Sequence, residues 1–295
     1  MTTGVTSRWW WTVAVLLLAP LVACGGSGGS IEASGRIADV PVTPGVGEAN
    51  AEHTAARPRS NGGVSLARAA AGAADRPYRV VVQATSGFIV GKIGGGQPLD
   101  TSITPTHDRS VCRPFTQSLV SSRAGGVGNS VVWLAGVTQG PRDDAPRRVR
   151  VLLDGCRLEP RVQRVAAGGT VMLTSRDAMM TRLQFLDLDG GSASRGTYSR
   201  GTVLFNDAGQ VVPSSEAAQR PGLVLIRDDL HPWVRGYLAV TPHPFVAVTA
   251  ADGLFRFDNV PPGQYTLVVW HERFGTKQQR IRVDAQVETR VALSY

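Results

Sequence analysis

The sequence predicts an all-β protein whose short strands form sandwiches. From Tyr78 onwards, short runs of β-branched and aromatic residues are broken by Gly, Pro, Asn and Asp, which is typical of strands joined by turns. No stretch of this region has the periodicity of an amphipathic helix, and the regular spacing of the turn signals favours β-sandwiches. The predicted strands are residues 79–83, 88–93, 131–135, 149–153, 170–174, 182–186, 203–205, 223–227, 234–240, 245–249, 254–258, 265–271, 279–283 and 289–293.

The first residues of the chain have the features of an export signal. Arg8 precedes an apolar run of about 14 residues, which is shorter than the roughly 20 residues that span a bilayer as a helix. Leu21-Val22-Ala23-Cys24 resembles the bacterial lipobox, in which the cysteine becomes the lipidated first residue. We therefore expect a lipoprotein signal peptide over residues 1–23 and a lipid anchor at Cys24. The alternatives are an ordinary cleavable signal or a buried helix.

Residues 24–77 form a stretch rich in Gly, Ala, Ser and Pro that has few large apolar side chains. This composition cannot bury enough surface to offset the entropy lost on ordering, so it predicts a disordered tether behind the anchor. Together, anchor and tether predict a protein of the cell envelope. It would be attached to the membrane through lipid and would face the periplasm or the cell exterior.

The charge of the chain bears on its partners. The formal net charge is +8, and arginines are concentrated within residues 142–164. Acidic residues in the same stretch dilute that charge, so a solvated strand–loop face is one interpretation. Contact with an anionic envelope polymer or with lipid headgroups is the other. Nucleic acid is not an expected partner of an exported, anchored protein.

The chain has three cysteines, and assigning Cys24 to lipid leaves Cys112 and Cys156 as a pair. In an oxidising compartment such a pair predicts a disulfide. It would close a loop of about 45 residues, for which chain entropy gives a stabilisation of roughly 4 kcal/mol. Two separate buried thiols are the alternative.

A break near residue 241 divides the folded part into predicted domains 78–241 and 242–295. Beyond the break the pattern becomes a compact meander, with turn signals at Ala251-Asp252-Gly253 and Pro261-Pro262-Gly263. Residues 249–257 and 260–267, which contain these turns, resemble the carboxypeptidase regulatory-like (prealbumin-like) domain. That resemblance implies a small non-catalytic β-sandwich, of a kind often grouped as carbohydrate-binding-like.

Several short motifs occur along the folded region in the same order as in a second known family. Those in the preceding domain are Ser130-Val131-Val132-Trp133-Leu134, residues 155–162, Ala167-Gly168-Gly169-Thr170-Val171 and Asp229-Leu230-His231-Pro232-Trp233. The order continues beyond the domain with His243-Pro244-Phe245 and Val269-Trp270-His271-Glu272. This domain is similar to a cupredoxin-like family of exported bacterial proteins, some of them described as methylamine-utilisation or plastocyanin-like. The resemblance implies a Greek-key β-sandwich.

The cupredoxin-like resemblance also implies a copper loop of the form Cys-x-x-His-x-x-Met. Here that frame reads Asp228, His231 and Val234, and the upstream histidine position falls near Thr181. A thiolate supplies much of the affinity and redox tuning of such a site. We therefore expect no copper and no other cofactor. The weak candidates for a different metal site are His231, Asp228, Met179 and Met180.

Those four residues also have a purely structural interpretation. The methionines would fill the apolar end of the sandwich that copper has vacated. His231 would hydrogen-bond the loop, and Asp228 or Asp229 would cap a turn.

Enzyme signatures are absent from the sequence. Gly190-Gly191-Ser192-Ala193-Ser194 lacks the closing glycine of a nucleophile elbow. His271-Glu272 lacks the second histidine of a zinc-protease helix. Trp133, Trp233 and Trp270 are interpreted as core residues, with an exposed stacking platform for sugar as the alternative.

The sequence thus predicts a non-catalytic envelope lipoprotein for binding or scaffolding. Its partner would be an envelope glycan or protein, with carbohydrate as a candidate ligand. The alternative is a periplasmic metal-binding or electron-transfer protein with an altered site around His231.

Overall fold

The computed structural model describes residues 78–188 and 196–295, in which regular structure consists of β-strands and one short 3₁₀ turn, Glu216–Ala218. The predicted all-β class is therefore confirmed. The predicted signal peptide, the anchor at Cys24 and the tether lie outside the described residues. Within these residues, no helix has the length and apolar character needed to cross a membrane.

The strands that precede the gap at residues 189–195 are β1 (Arg79–Val80), β2 (Gly87–Gly94), β3 (Leu99–Ile103), β4 (Phe115–Val120), β5 (Val131–Ala135), β6 (Gln139–Gly140), β7 (Arg148–Asp154), β8 (Arg157–Glu159), β9 (Val162–Ala166), β10 (Thr170–Ser175) and β11 (Thr181–Leu188). The strands that follow it are β12 (Gly196–Phe205), β13 (Val211–Ser214), β14 (Gly222–Asp228), β15 (Arg235–Thr241), β16 (Val246–Val248), β17 (Leu254–Val260), β18 (Gly263–His271), β19 (Gly275–Val283) and β20 (Glu288–Ser294).

Every predicted strand has a counterpart, and six further strands were not predicted: β3, β4, β6, β8, β9 and β13. They are short, and several are polar along most of their length, as in the Leu-Asp-Thr-Ser-Ile sequence of β3. A strand of this kind is held by its neighbour rather than by its own burial, so it leaves little hydrophobic pattern to read.

The described strands form six sheets, of which two are the strand pairs β1-β6 and β3-β4. The other four, which we call sheets I to IV, are stacked in layers. Sheet I has the strand order β13-β10-β7-β8, and sheet II has the order β12-β11-β14-β15-β9. Sheet III has the order β16-β5-β18-β19, and sheet IV has the order β17-β2-β20. Sheets I and II form the first sandwich, and sheets III and IV form the second.

Three hydrophobic cores lie between the four layers. Phe185 belongs to the core between sheets I and II, and Leu267 belongs to the core between sheets III and IV. A third core, which contains Trp270, joins sheet II to sheet III. Successive side chains of a strand point to opposite faces, so β18 contributes to two cores at once. For the same reason all five residues of β5 are buried.

Strand pairing gives the second sandwich two strands that precede its predicted start at residue 242. β2 lies between β17 and β20 in sheet IV, and β5 lies between β16 and β18 in sheet III. A segment of about 55 residues buries a small fraction of its surface and is marginally stable alone, so the earlier strands add to its core. The boundary between residues 241 and 242 stays a prediction about the chain, but it does not separate the two sandwiches in space.

Candidate functional site

The end of the first sandwich where the copper loop was expected is organised around the carboxylate of Asp228. This side chain is buried at the end of β14. Its Oδ1 accepts hydrogen bonds from the backbone N–H groups of Arg182, at 2.9 Å, and Leu230, at 3.2 Å. Its Oδ2 contacts Nδ1 of His231. Asp228 therefore caps the loop that follows β14, as the structural interpretation proposed.

His231 has a carboxylate at each of its two ring nitrogens. Besides the contact between Nδ1 and Asp228, its Nε2 lies 2.8 Å from Oδ2 of Asp108. The imidazole is completely buried, and its ring meets that of Trp233 edge to face, with centroids 5.4 Å apart. A metal ion binds a ring nitrogen through its lone pair. Such an ion would therefore have to displace one of the two carboxylates.

Asp108 reaches this histidine from a loop that is tied down at its other end by a disulfide. The backbone carbonyl of Asp108 accepts hydrogen bonds from the N–H groups of Val111 and Cys112, at 2.9 and 2.7 Å. Cys112 is joined to Cys156 in a disulfide with a Cα–Cα distance of 5.5 Å. The loop thus closes over the end of the sandwich and is held there by the disulfide and by the histidine–carboxylate contact.

A tight turn presents Cys156 to that disulfide. Gly155 and Cys156, between β7 and β8, both have positive φ, at 56° and 61°, as a two-residue hairpin turn requires. The carboxylate of Asp177 accepts hydrogen bonds from the N–H groups of both residues, at 2.9 and 2.7 Å. The sulfur of Met179 lies 3.4 Å from that of Cys112, so this methionine packs against the disulfide.

The side chains present at this end do not fit a copper site of the cupredoxin type. Asp228 stands where a thiolate is required, and the hydroxyl of Thr181 stands near the position of the upstream imidazole. Met180 is 58% exposed, and Val234 has no donor atom. In the part of the chain that the structure describes, no three His, Cys, Asp or Glu side chains are placed to hold a metal ion. This set of donors does not match the one that blue-copper electron transfer requires.

Sequence reasoning did not find Asp108 and Asp177 as members of this site. Asp108 is separated from His231 by 123 positions, and neither carboxylate belongs to a motif of recognisable spacing. Of the four weak candidates, the structure places Asp228 and His231 in contact and packs Met179 against the disulfide, whereas Met180 faces solvent.

The remaining buried histidines do not form acid–base pairs. Burial lowers the pKa of His243 and of His271 to about 4. Nδ1 of His271 accepts a hydrogen bond from the N–H of Arg273, at 3.1 Å, and its ring stacks on that of Phe274. The neighbouring Glu272 instead pairs with Arg161 of the first sandwich.

The tryptophans of the described residues serve as packing groups. Trp133 and Trp270 are completely buried between sheets II and III, and Trp233 packs partly buried against the core between sheets I and II. In this part of the chain no tryptophan offers the exposed ring face that a sugar-stacking platform needs.

Two cavities lie side by side where the two sandwiches meet. The first, which we call the junction cleft, has a volume of about 430 Å³ and is lined by Pro141, Arg142, Asp144, Arg164 and residues 244–248 and 256–259. The second has a volume of about 360 Å³, and its lining includes Tyr78, Arg142 and Arg147. Arg142 lines both cavities. A third cavity, of about 500 Å³, lies on β18 and β19 and is lined in part by Arg280 and Arg282.

Fold and site together define an all-β protein of stacked sandwiches, in which a histidine–carboxylate cluster and a disulfide close one end of the first sandwich. Residues 238–294 match the family of carboxypeptidase regulatory-like domains, which confirms the resemblance of the C-terminal part. No curated protein matches the chain.

Several solved structures are similar to parts of the chain. A purple cupredoxin from Nitrosopumilus maritimus is 14% identical, with 32% of this chain and 99% of that chain covered and a TM-score of 0.25. Auracyanin from Roseiflexus castenholzii is 13% identical, with 33% and 99% covered and a TM-score of 0.25. A copper-containing nitrite reductase from Thermus scotoductus SA-01 is 18% identical, with 32% of this chain covered and a TM-score of 0.24. The matched part spans only 22% of the reductase chain.

Proposed function

We propose that this chain is a non-catalytic lipoprotein of the cell envelope that binds or scaffolds an envelope polymer, with carbohydrate as the ligand class. The observation that carries the proposal is the closed end of the first sandwich around His231. Asp108, His231 and Asp228 satisfy one another there, so this cluster of described residues presents no ring nitrogen that is ready for a metal ion or a substrate.

The layered architecture supports a binding role of this kind. Two sandwiches are joined by a third hydrophobic core, so surfaces contributed by both sandwiches keep a fixed geometry. A rigid, preorganised surface binds a polymer with a smaller loss of conformational entropy than a mobile one. Attachment of the chain through lipid at Cys24 would hold that surface near envelope material.

Attachment is tested by fractionating cells that express the full chain or its Cys24→Ser variant. We expect the parent protein to remain with membranes until detergent is added, because its acyl chains are buried in the bilayer. The variant should lose this detergent-sensitive association. Membrane association that survives the substitution would contradict anchoring at Cys24.

Binding is tested by incubating the detergent-solubilised protein with isolated cell-envelope polysaccharide and measuring co-sedimentation. The same preparation is titrated with Cu(I) and Cu(II) by equilibrium dialysis. We expect saturable co-sedimentation and no stoichiometric copper uptake. Stoichiometric copper binding that disappears in a His231→Ala variant would contradict the proposal and favour the metal-binding alternative.

A further inference from the structure

The junction cleft is a polar cavity that exists only because the two sandwiches are fused. Arg164 comes from β9 of sheet II, whereas the chain around Val246 belongs to sheet III and Arg256 belongs to sheet IV. Cavities of a few hundred cubic ångströms with several convergent polar groups are typical of small-molecule and oligomer sites. At about 430 Å³, the cleft is large enough for part of an oligosaccharide.

Two of the three guanidinium groups in the cleft are already neutralised. Nη2 of Arg164 lies 2.9 Å from Oδ1 of Asp144, and its Nη1 donates to the carbonyl of Val246 at 2.8 Å. Nε of Arg256 donates to Oδ1 of Asp258, also at 2.8 Å. These pairs place donors and acceptors around the cavity, and each carboxylate keeps free lone pairs for a ligand hydroxyl.

Arg142 is the cleft arginine that no carboxylate neutralises. Its guanidinium makes no hydrogen bond or ion pair with any side chain that the structure describes, and it is exposed. The backbone on either side is fixed, because the carbonyl of Pro141 accepts from the hydroxyl of Tyr78, at 2.6 Å. On the other side, the carboxylate of Asp143 accepts from the hydroxyl of Thr241, at 2.7 Å.

We propose that the junction cleft binds an acidic saccharide, in which a sugar carboxylate pairs with Arg142 and the hydroxyls bond to the Arg–Asp pairs. A guanidinium fork matches a carboxylate through two parallel hydrogen bonds. Fixed carboxylates in the lining accept hydrogen bonds from sugar hydroxyls. Because Arg142 also lines the neighbouring cavity with Arg147, a longer chain could continue across it. This inference rests on the proposed binding function and names its site and ligand class.

The test uses the full chain in detergent, with tetragalacturonate as the acidic probe and maltotetraose as the uncharged one, measured by titration calorimetry. We expect the parent protein to bind tetragalacturonate more tightly than maltotetraose, and more weakly as salt is added. Arg142→Ala should reduce the affinity about tenfold or more, because a charge-assisted pair is lost. The affinity of Arg142→Lys should lie between those of the parent and of Arg142→Ala, since lysine keeps the charge but lacks the forked guanidinium.

Arg150→Ala is the matched control. It removes the same charge from an exposed position on β7, outside both cavities, and should leave the affinity unchanged. If Arg142→Ala binds tetragalacturonate as tightly as the parent, the assignment of the cleft is overturned while saccharide binding stands. If the parent binds neither probe, the acidic-saccharide inference is overturned, and the proposed function is then judged separately by co-sedimentation with whole envelope polysaccharide.

Discussion

Arg161 and Glu272 form a buried, bidentate ion pair that connects sheet II to sheet III. Nε and Nη2 of Arg161 lie 2.5 and 2.6 Å from the two carboxylate oxygens of Glu272, and Nη1 donates to the carbonyl of Arg235 at 3.2 Å. The side chains are only 12% and 7% exposed. Burial, with the nearby Glu272 carboxylate, also raises the pKa of Tyr237, whose ring lies beside the guanidinium.

Replacing Glu272 by alanine should destabilise the protein by about 3 kcal/mol, because it leaves a buried guanidinium without its counter-charge. The measurement is the free energy of unfolding from urea denaturation. The control is Asp258→Ala, which breaks the exposed pair with Arg256 and should cost much less, because water screens and replaces that contact. Equal losses for the two variants would show that the junction pair contributes no more than a surface pair.

Acid should destabilise the protein through two buried histidines. In the folded state the pKa of His243 and His271 is lowered to about 4, whereas the unfolded chain titrates at its ordinary value of 6.5. Between these values the unfolded chain binds more protons, so stability is fully present above pH 6.5 and is lost as the pH falls towards 4. Each histidine should contribute a slope of about 1.4 kcal/mol per pH unit within that window.

His243→Gln tests this pH dependence. Unfolding free energies measured across the window should show a slope smaller by about one histidine's contribution. His107→Gln is the control for the same substitution at an exposed histidine. A slope that stays the same in His243→Gln would mean that His243 takes up its proton without unfolding.

The local hydrophobic pattern of the sequence predicted most strands of this fold, but it did not predict which strands pair in each sheet. The apolar runs of β2 and β5 are visible in the sequence, yet their partners in β20 and β18 lie well over 100 positions further along. Nothing in a short window encodes such a pairing, because it depends on which uncovered face remains after the neighbouring strands have folded. The candidate site was likewise only partly predictable from the sequence. Asp228 and His231 could be picked out from their spacing in the sequence, whereas Asp108 could be found only in three dimensions.

The Cys112–Cys156 disulfide should contribute strongly to stability. It spans a sequence separation of 44 residues, for which chain entropy gives about 4 kcal/mol. The Cys112→Ala, Cys156→Ala double variant should therefore unfold at a lower denaturant concentration than the parent protein. Adding reductant to the denaturant series should lower the midpoint of the parent and leave that of the double variant unchanged. A double variant as stable as the oxidised parent would contradict this role.

Asp228 should be the most sensitive carboxylate at the end of the first sandwich that the Cys112–Cys156 disulfide closes. Asp228→Ala would leave two backbone N–H groups and Nδ1 of His231 without their acceptor in a buried site, at a cost of about 3 kcal/mol. Asp228→Asn keeps one oxygen for the backbone and should cost clearly less. Asp108→Ala removes a carboxylate that is 49% exposed, so water can replace it, and the cost should be about 1 kcal/mol.

Denaturant unfolding of these three variants ranks the contacts directly. The order expected from burial is Asp228→Ala, then Asp228→Asn, then Asp108→Ala, from most to least destabilised. If Asp228 held a position for a metal rather than for the loop, its removal would leave the stability of the metal-free protein unchanged. A loss confined to Asp108→Ala would instead place the main stabilising contact on the loop that carries Cys112, and Asp228 would not be the group that closes this end of the sandwich.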